Sequence, residues 1–339
     1  MRILLAASLR AFGSEQESNL QTVLKQELLK QGHTVDSFAL PYVEEALSMP
    51  EQAFAIRGMD VSDCDLLITI GFPALMLQHA NKYSFLFDAV PRLMEYLGTE
   101  YGMLSSPQYQ NIAQICETLL RTEMEKAKKV FCASELLKRD VIRKFGISCE
   151  NLPLMNCWVD EGKAEKPIES SKYIIAETVY DVYERNEWMV DALPSVKEQC
   201  RLVLYTQNND EQFKKALYER ADRLQVRDRL EIRDGKPSVK MIGQAAGVLS
   251  IPYQARRIPQ IVMKALRNGV PVITTNDSGA LLEVLKANEN GMVAEPDYYC
   301  EELAQAVDTV CMGTKKFHEL EIKTEKLNWN QIIEEMVRQ

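Results

Sequence analysis

No apolar run in this sequence is long enough to cross a bilayer. Its opening residues Met1–Ser8 are apolar, but they fall short of a signal-peptide core and run straight into polar sequence, so the expected location is the cytoplasm. The eight cysteines (64, 116, 132, 149, 157, 200, 300 and 311) include no Cys-x-x-Cys pair, and with three histidines they form no zinc-finger spacing. They read as buried or idle thiols, and no metal site is expected. Basic residues are not in excess: 40 Lys and Arg stand against 49 Asp and Glu, a net charge of −9, which argues against a general nucleic-acid binder. Neither Gly-x-Gly-x-x-Gly after the first apolar run nor a Walker A sequence is present, which disfavours a dinucleotide-dependent dehydrogenase and a P-loop nucleotidase.

What the sequence does contain is enough apolar material for two cores. Its 339 residues exceed the usual size of a single domain, and a 46% apolar share with 26% charged residues is that of packed globular protein. Arg2–Ser8 reads as a buried strand, Asn19–Gln31 as a helix with leucines at helical spacing, and Gly32 as its stop. Strands are expected at Thr34–Leu40 and Asp65–Ile70, a helix at Glu117–Lys129, a strand at Val130–Ser134, and a helix capped by Ser134 at Glu135–Phe145. Alternation of this kind implies a doubly wound parallel sheet.

Residues Asp160–Ser171 are polar and aperiodic, and they are the best linker candidate. Beyond them the alternation restarts, with strands expected at 173–176, 201–206, 230–233, 247–252 and 271–274. Helices are expected at 187–193, 211–224, 258–267, 279–287 and 301–310. The division reads as an N-terminal domain (1–158), a linker (159–171), a C-terminal domain (172–324) and a final helix (325–339). The apolar stripe of that helix, at Leu327, Trp329, Ile332, Ile333 and Met336, needs a surface to cover, and the N-terminal domain is the candidate.

The segment from Ala246 to Asp297 carries the most information. It runs from a strand ending in Pro252 through Ile258-Pro259-Gln260-Ile261-Val262-Met263-Lys264-Ala265 and Asn268-Gly269-Val270-Pro271-Val272-Ile273-Thr274. It then continues with Asp277-Ser278-Gly279, Glu283, Asn290-Gly291 and Pro296-Asp297. In this order the segment resembles the donor-binding region of family 4 glycosyltransferases, the glycosyl transferases group 1. Gly32-His33, Thr99-Glu100-Tyr101-Gly102, Ala133-Ser134 and Asn156-Cys157-Trp158-Val159-Asp160 fall where that family has similar stretches. The resemblance implies the GT-B fold: α/β, with two Rossmann-like doubly wound parallel-sheet domains facing a cleft. The C-terminal domain would take the nucleotide-sugar donor and the N-terminal domain the acceptor.

The sequence departs from the family at the chemistry. Members usually carry two glutamates in a fixed spacing, and on the register set by Pro259 and Ala265 those places hold Arg256 and Lys264. Two acceptors become two donors, a change of about four charge units, and one pair interaction at 4 Å is worth about 4 kcal/mol at an effective dielectric of 20. The pair suits phosphate better than sugar hydroxyls, and either clamps the diphosphate leaving group or marks a site without catalysis.

For the other positions the functional reading stands beside a plainer one. Asp277-Ser278-Gly279 precedes an expected helix whose N-terminus would favour a diphosphate, or it is an ordinary capped turn. Glu283 either accepts from ribose hydroxyls or serves the helix dipole. Arg185 lies where the family often has a basic residue, and Gly13-Ser14 form a strand-to-helix loop expected to face the cleft. His33 and His79 have no acid or serine pattern around them and read as structural.

The resemblance implies a glycosyltransferase, retaining if active, with a nucleotide-sugar as substrate and no cofactor or metal. Two alternatives stay open. One is a non-catalytic homologue acting as partner, chaperone or specificity subunit, in a hetero-complex or an oligomer. The other is an enzyme of the same fold with different chemistry, such as a sugar-nucleotide epimerase.

Overall fold

The structure is a computed structural model. It describes residues 1–10, 16–91, 94, 96–99, 105–151, 172–178, 182–206, 211–286, 289–297, 299–313, 315–318 and 329–337. The chain divides into two compact units, one of residues 1–159 with 324–339 and one of residues 160–323. The linker candidate at 160–171, Gly13-Ser14, Glu100–Gly102 and Asn156–Asp160 lie outside the described residues.

In the first unit β1 (Arg2–Arg10), α1 (Gln16–Lys30), β2 (Thr34–Tyr42), α2 (Met49–Arg57), β3 (Leu66–Ile70) and β4 (Lys82–Leu86) follow one another. Then come α3 (Pro107–Lys126), β5 (Lys129–Cys132), α4 (Glu135–Phe145) and β6 (Glu150–Asn151). The strands form a six-stranded parallel sheet in the order β2-β1-β3-β4-β5-β6. Leu66–Ile70 is buried at every position, as a strand covered by helices on both faces requires. Leu20, Leu24 and Leu28, one helical turn apart on α1, are completely buried, and α1 ends where Gly32 takes a positive φ of 83°.

Two elements here differ from the sequence reading. The helix expected at 117–129 begins ten residues earlier at Pro107, where the Ser106 hydroxyl accepts from Tyr109 N at 3.3 Å. Strand β4 was not expected, because Lys82 and Ser84 interrupt its apolar pattern. Its Lys82 is nevertheless wholly buried, donating to Leu75 O and Leu77 O at 3.1 Å each and to the buried Glu123 carboxylate at 2.8 Å. Burial pushes the Lys82 ammonium below its ordinary pKa, and the bonds to Glu123 oppose that shift.

The second unit runs β7 (Tyr173–Thr178), α5 (Asn186–Asp191), β8 (Arg201–Thr206), α6 (Glu211–Arg223), β9 (Leu230–Asp234), α7 (Val239–Gln244) and β10 (Gly247–Leu249). It continues through α8 (Gln260–Arg267), β11 (Val272–Thr275), β12 (Gly291–Ala294) and α9 (Glu301–Cys311). Its sheet order is β12-β11-β10-β7-β8-β9, all parallel. The chain winds outward from β7 to β8 and β9 on one side and, after crossing over, from β10 to β11 and β12 on the other. The point of reversal therefore lies between β7 and β10. The last helix, α10 (Trp329–Val337), belongs to the first unit, where Ile333 and Met336 enter the core and Glu335 pairs with Lys129 at 2.5 Å. No described helix is long and apolar enough to cross a membrane.

Candidate functional site

In an open parallel sheet the carboxyl ends of the strands flanking the point of reversal form a crevice, because their connections leave in opposite directions. In the second unit the loops there follow β7, β10 and β11. Arg185 stands in the first of them, in the left-handed conformation (φ 50°) directly before α5. Lone arginines are usually exposed, but only 2% of this one is. Its guanidinium donates from Nη1 to Asp277 Oδ1 at 3.0 Å and to Thr275 Oγ1 at 3.2 Å, and from Nη2 to Asp277 Oδ2. Its flat faces meet the rings of Trp188 and Tyr253, with centroids 4.7 and 5.0 Å from the guanidinium carbon. A planar, five-donor group suits this mixture of a forked carboxylate and aromatic walls.

The loop after β11 is built to present Asp277. Thr275 Oγ1 donates to Asp277 Oδ1 at 2.7 Å, and the buried Ser278 hydroxyl accepts from Thr274 Oγ1 at 2.8 Å. Gly279 follows with φ 69°, so close to the neighbouring loop that a Cβ there would lie 2.3 Å from Ala255 O. Ala280 N donates to that same carbonyl at 2.7 Å, Gln254 N to Asp277 O at 2.8 Å, and Tyr253 N to Tyr183 O at 2.7 Å. The three loops are thereby tied together by main-chain bonds.

The helix expected at 279–287 is a 3₁₀ turn over Gly279–Glu283. With one turn there is little helix dipole, and the Ala280 N–H serves Ala255 O. These residues hold Arg185 and brace the loop after β10.

The structure brings Arg185, Asp277, Ser278, Gly279 and Arg256 into one hydrogen-bonded neighbourhood, since Arg256 Nη1 donates to Gln254 O at 2.6 Å. Arg256, Arg257 and Lys264 are each more than nine-tenths buried. Lys264 sits on α8, whose apolar positions Ile261, Val262, Ala265 and Leu266 fix it against the sheet. Glu283 is exposed at the end of the 3₁₀ turn. Sequence reasoning missed Thr275, Trp188, Tyr253 and Arg257. The adjacent Arg256-Arg257 was a signal for the last of these, but nothing in a linear pattern announces an aromatic sandwich between residues 188 and 253.

His79 donates from Nε2 to Cys64 O at 3.0 Å and accepts at Nδ1 from Asn81 N at 3.1 Å, a structural arrangement. Burial, together with the charge of the chain's amino terminus, lowers the His33 pKa. Among the described residues no group of three or more His, Cys, Asp or Glu side chains is arranged to hold a metal.

Two parallel six-stranded sheets, each in its own α/β unit and each wound about a point of reversal, are the GT-B glycosyltransferase fold, and whole-chain similarity to solved structures agrees. Sucrose-phosphate synthase from Thermosynechococcus elongatus matches with a TM-score of 0.69 over 99% of each chain at 12% identity. Anabaena HepE in complex with UDP and glucose matches with a TM-score of 0.66 over 100% of this chain and 99% of that one, at 14% identity. The apo lipopolysaccharide outer core galactosyltransferase WaaB matches with a TM-score of 0.64 over 98% of each chain, at 12% identity. Residues 173–312, within the second unit, match the family model described as glycosyl transferases group 1. No curated protein matches the chain by sequence.

Proposed function

We propose that this chain transfers a glycosyl group from a nucleoside-diphosphate sugar, and that the donor binds in the second unit at the carboxyl ends of β7, β10 and β11. The observation that carries this reading is the buried Arg185, locked by Asp277 and Thr275 at the point of strand reversal, beside loops that also hold Arg256 and Arg257. Charge grows on the diphosphate as the glycosidic bond breaks, and cations already fixed in place stabilise it without reorganising. In this reading Asp277 positions Arg185 and does not touch the anion, which a carboxylate would repel. Arg256 and Lys264 face the phosphates where the family's glutamates face sugar hydroxyls, and Glu283 accepts from the ribose. HepE, which shares the fold, was solved with UDP and glucose, which makes uridine the first base to try.

The test is a thermal-melt series with UDP, GDP, ADP and CDP and their common sugar conjugates. A ligand at about a hundred times its dissociation constant adds about 2.7 kcal/mol to stability. One base is expected to raise the melting temperature, and Arg256→Glu with Lys264→Glu, each melt compared with the same variant's unliganded melt, to abolish that rise. A rise that survives the double substitution would remove the cationic clamp from the reading. No rise with any nucleotide would turn the search to a non-catalytic role with a protein partner.

A further inference from the structure

Away from the loops at the carboxyl ends of the strands, two thiols meet near the amino end of β8. Cys200 lies directly before β8 and is 2% exposed, and Cys311 ends α9 and is half-buried. Their sulfurs are 2.6 Å apart, although 111 residues separate them in the chain. Both are free thiols, and a disulfide bond would need them only about half an ångström closer.

The surroundings hold them in that position. Arg229 donates to the carbonyls of Leu193, Val196, Glu198 and Cys200 at 2.8–3.2 Å, which fixes the loop before β8 from one side. From the other side the Asp308 carboxylate, one turn before Cys311 on α9, accepts from Lys197 N and Glu198 N at 3.1 and 2.9 Å. Loop and helix end are thus already docked, and little chain entropy remains to be lost on linking them.

We propose that Cys200 and Cys311 form a reversible dithiol oxidation site whose oxidant is a low-molecular-weight disulfide of the glutathione class. The half-buried Cys311 meets the reagent first. Its thiolate attacks one sulfur of the reagent, the S–S bond breaks, one thiolate leaves, and a mixed disulfide forms on Cys311. The Cys200 thiolate then attacks the Cys311 sulfur and expels the second thiolate. Two protein thiols are oxidised, one small disulfide is reduced to two thiols, and the two protons released go to those leaving groups. With both thiols free, the hydrogen bond from Cys311 lowers the pKa of Cys200 and raises that of Cys311; once Cys311 carries the mixed disulfide that bond is gone, and Cys200 is left against the Cys311 sulfur with the Arg229 charge favouring its thiolate.

The full chain treated with oxidised glutathione and digested without reduction tests this. Trypsin with a Glu-specific protease separates Cys300 from Cys311 at Glu301 and Glu302. The expected product is a peptide pair joining Cys200 to Cys311 and lacking two hydrogens. It should be accompanied by a rise in melting temperature of about 5–10 °C that dithiothreitol reverses. Cys311→Ser should show neither change, and Cys200→Ala should keep the glutathione adduct on Cys311. The proposal fails if wild-type Cys311 retains its adduct, if the only cross-link joins the buried Cys132 and Cys149, or if Cys311 does not react.

Discussion

Arg185 shows how far one side chain's meaning depends on what surrounds it. In the sequence it is one arginine beside a short polar stretch, and an isolated arginine is usually exposed. In the fold it is among the most buried residues, because Asp277 and Thr275 meet its donors and Trp188 and Tyr253 cover its faces. The thiols respond to burial in a different way. Cys116 is almost fully buried, and desolvation, with the Glu117 charge adding to it, pushes its pKa up from about 9 to about 11. A folded-state value above the unfolded one means that the unfolded chain loses this proton first. The contribution of Cys116 is therefore complete below pH 9 and is lost as pH rises towards 11. Cys300, pushed to about 12 by burial, acts in the same sense. Urea-unfolding midpoints should fall between pH 8.5 and 10.5, and Cys116→Ala should flatten that fall. An unchanged slope would remove Cys116 from the effect.

Among the elements, legibility did not follow length: the 20-residue α3 starts ten residues before its expected start, whereas the short strands β9 and β11 fall where apolar runs put them. Helix α4 at 135–145, with its Ser134 cap accepting from Leu137 N at 3.0 Å, agrees with the pattern to the residue. Strands β8 and β7 also lie where apolar runs put them. The apolar pattern of residues 279–287 suits a helix, but Gly279 is drawn against Ala255 and the chain turns after one 3₁₀ turn. Gly279 provides a sharp test at this scale. Gly279→Ala meets both a positive φ and a backbone atom at 2.3 Å, whereas Gly235→Ala meets only the positive φ of 89° with nothing within 4 Å. Gly235→Ala should lose about 1–2 kcal/mol by urea unfolding. Gly279→Ala should lose more and, by calorimetry, should weaken nucleotide binding at least about tenfold. Equal losses at the two positions would mean that the contact with Ala255 has no consequence.

At the scale of the whole molecule the chain does not divide at one point, because residues 324–339 return to the first unit. Ile333 and Met336 are fully buried there, and each such side chain is worth about 1.5–3 kcal/mol. A chain ending at residue 323 should therefore lose roughly 3–6 kcal/mol of stability in the first unit alone. Hydrogen exchange should quicken in β3 and β4 and stay unchanged in β7 and β8. Faster exchange in both units would show that the helix stabilises more than its own core.

The sequence by itself determined that there are two parallel α/β units, because apolar runs alternating with amphipathic helices have only one economical way to cover both faces of a sheet. It also carried the resemblance to glycosyl transferases group 1, because the segment from Ala246 to Asp297 keeps its landmarks in order, and residues 173–312 match that family's model. Only the tertiary structure decided which of the candidate residues meet. Arg185 and Asp277 are 92 residues apart, and Cys200 and Cys311 are 111 apart. Their pairing depends on strand order and on loops whose conformations are set by neighbours distant in sequence, and a hydrophobic pattern carries no information about those neighbours.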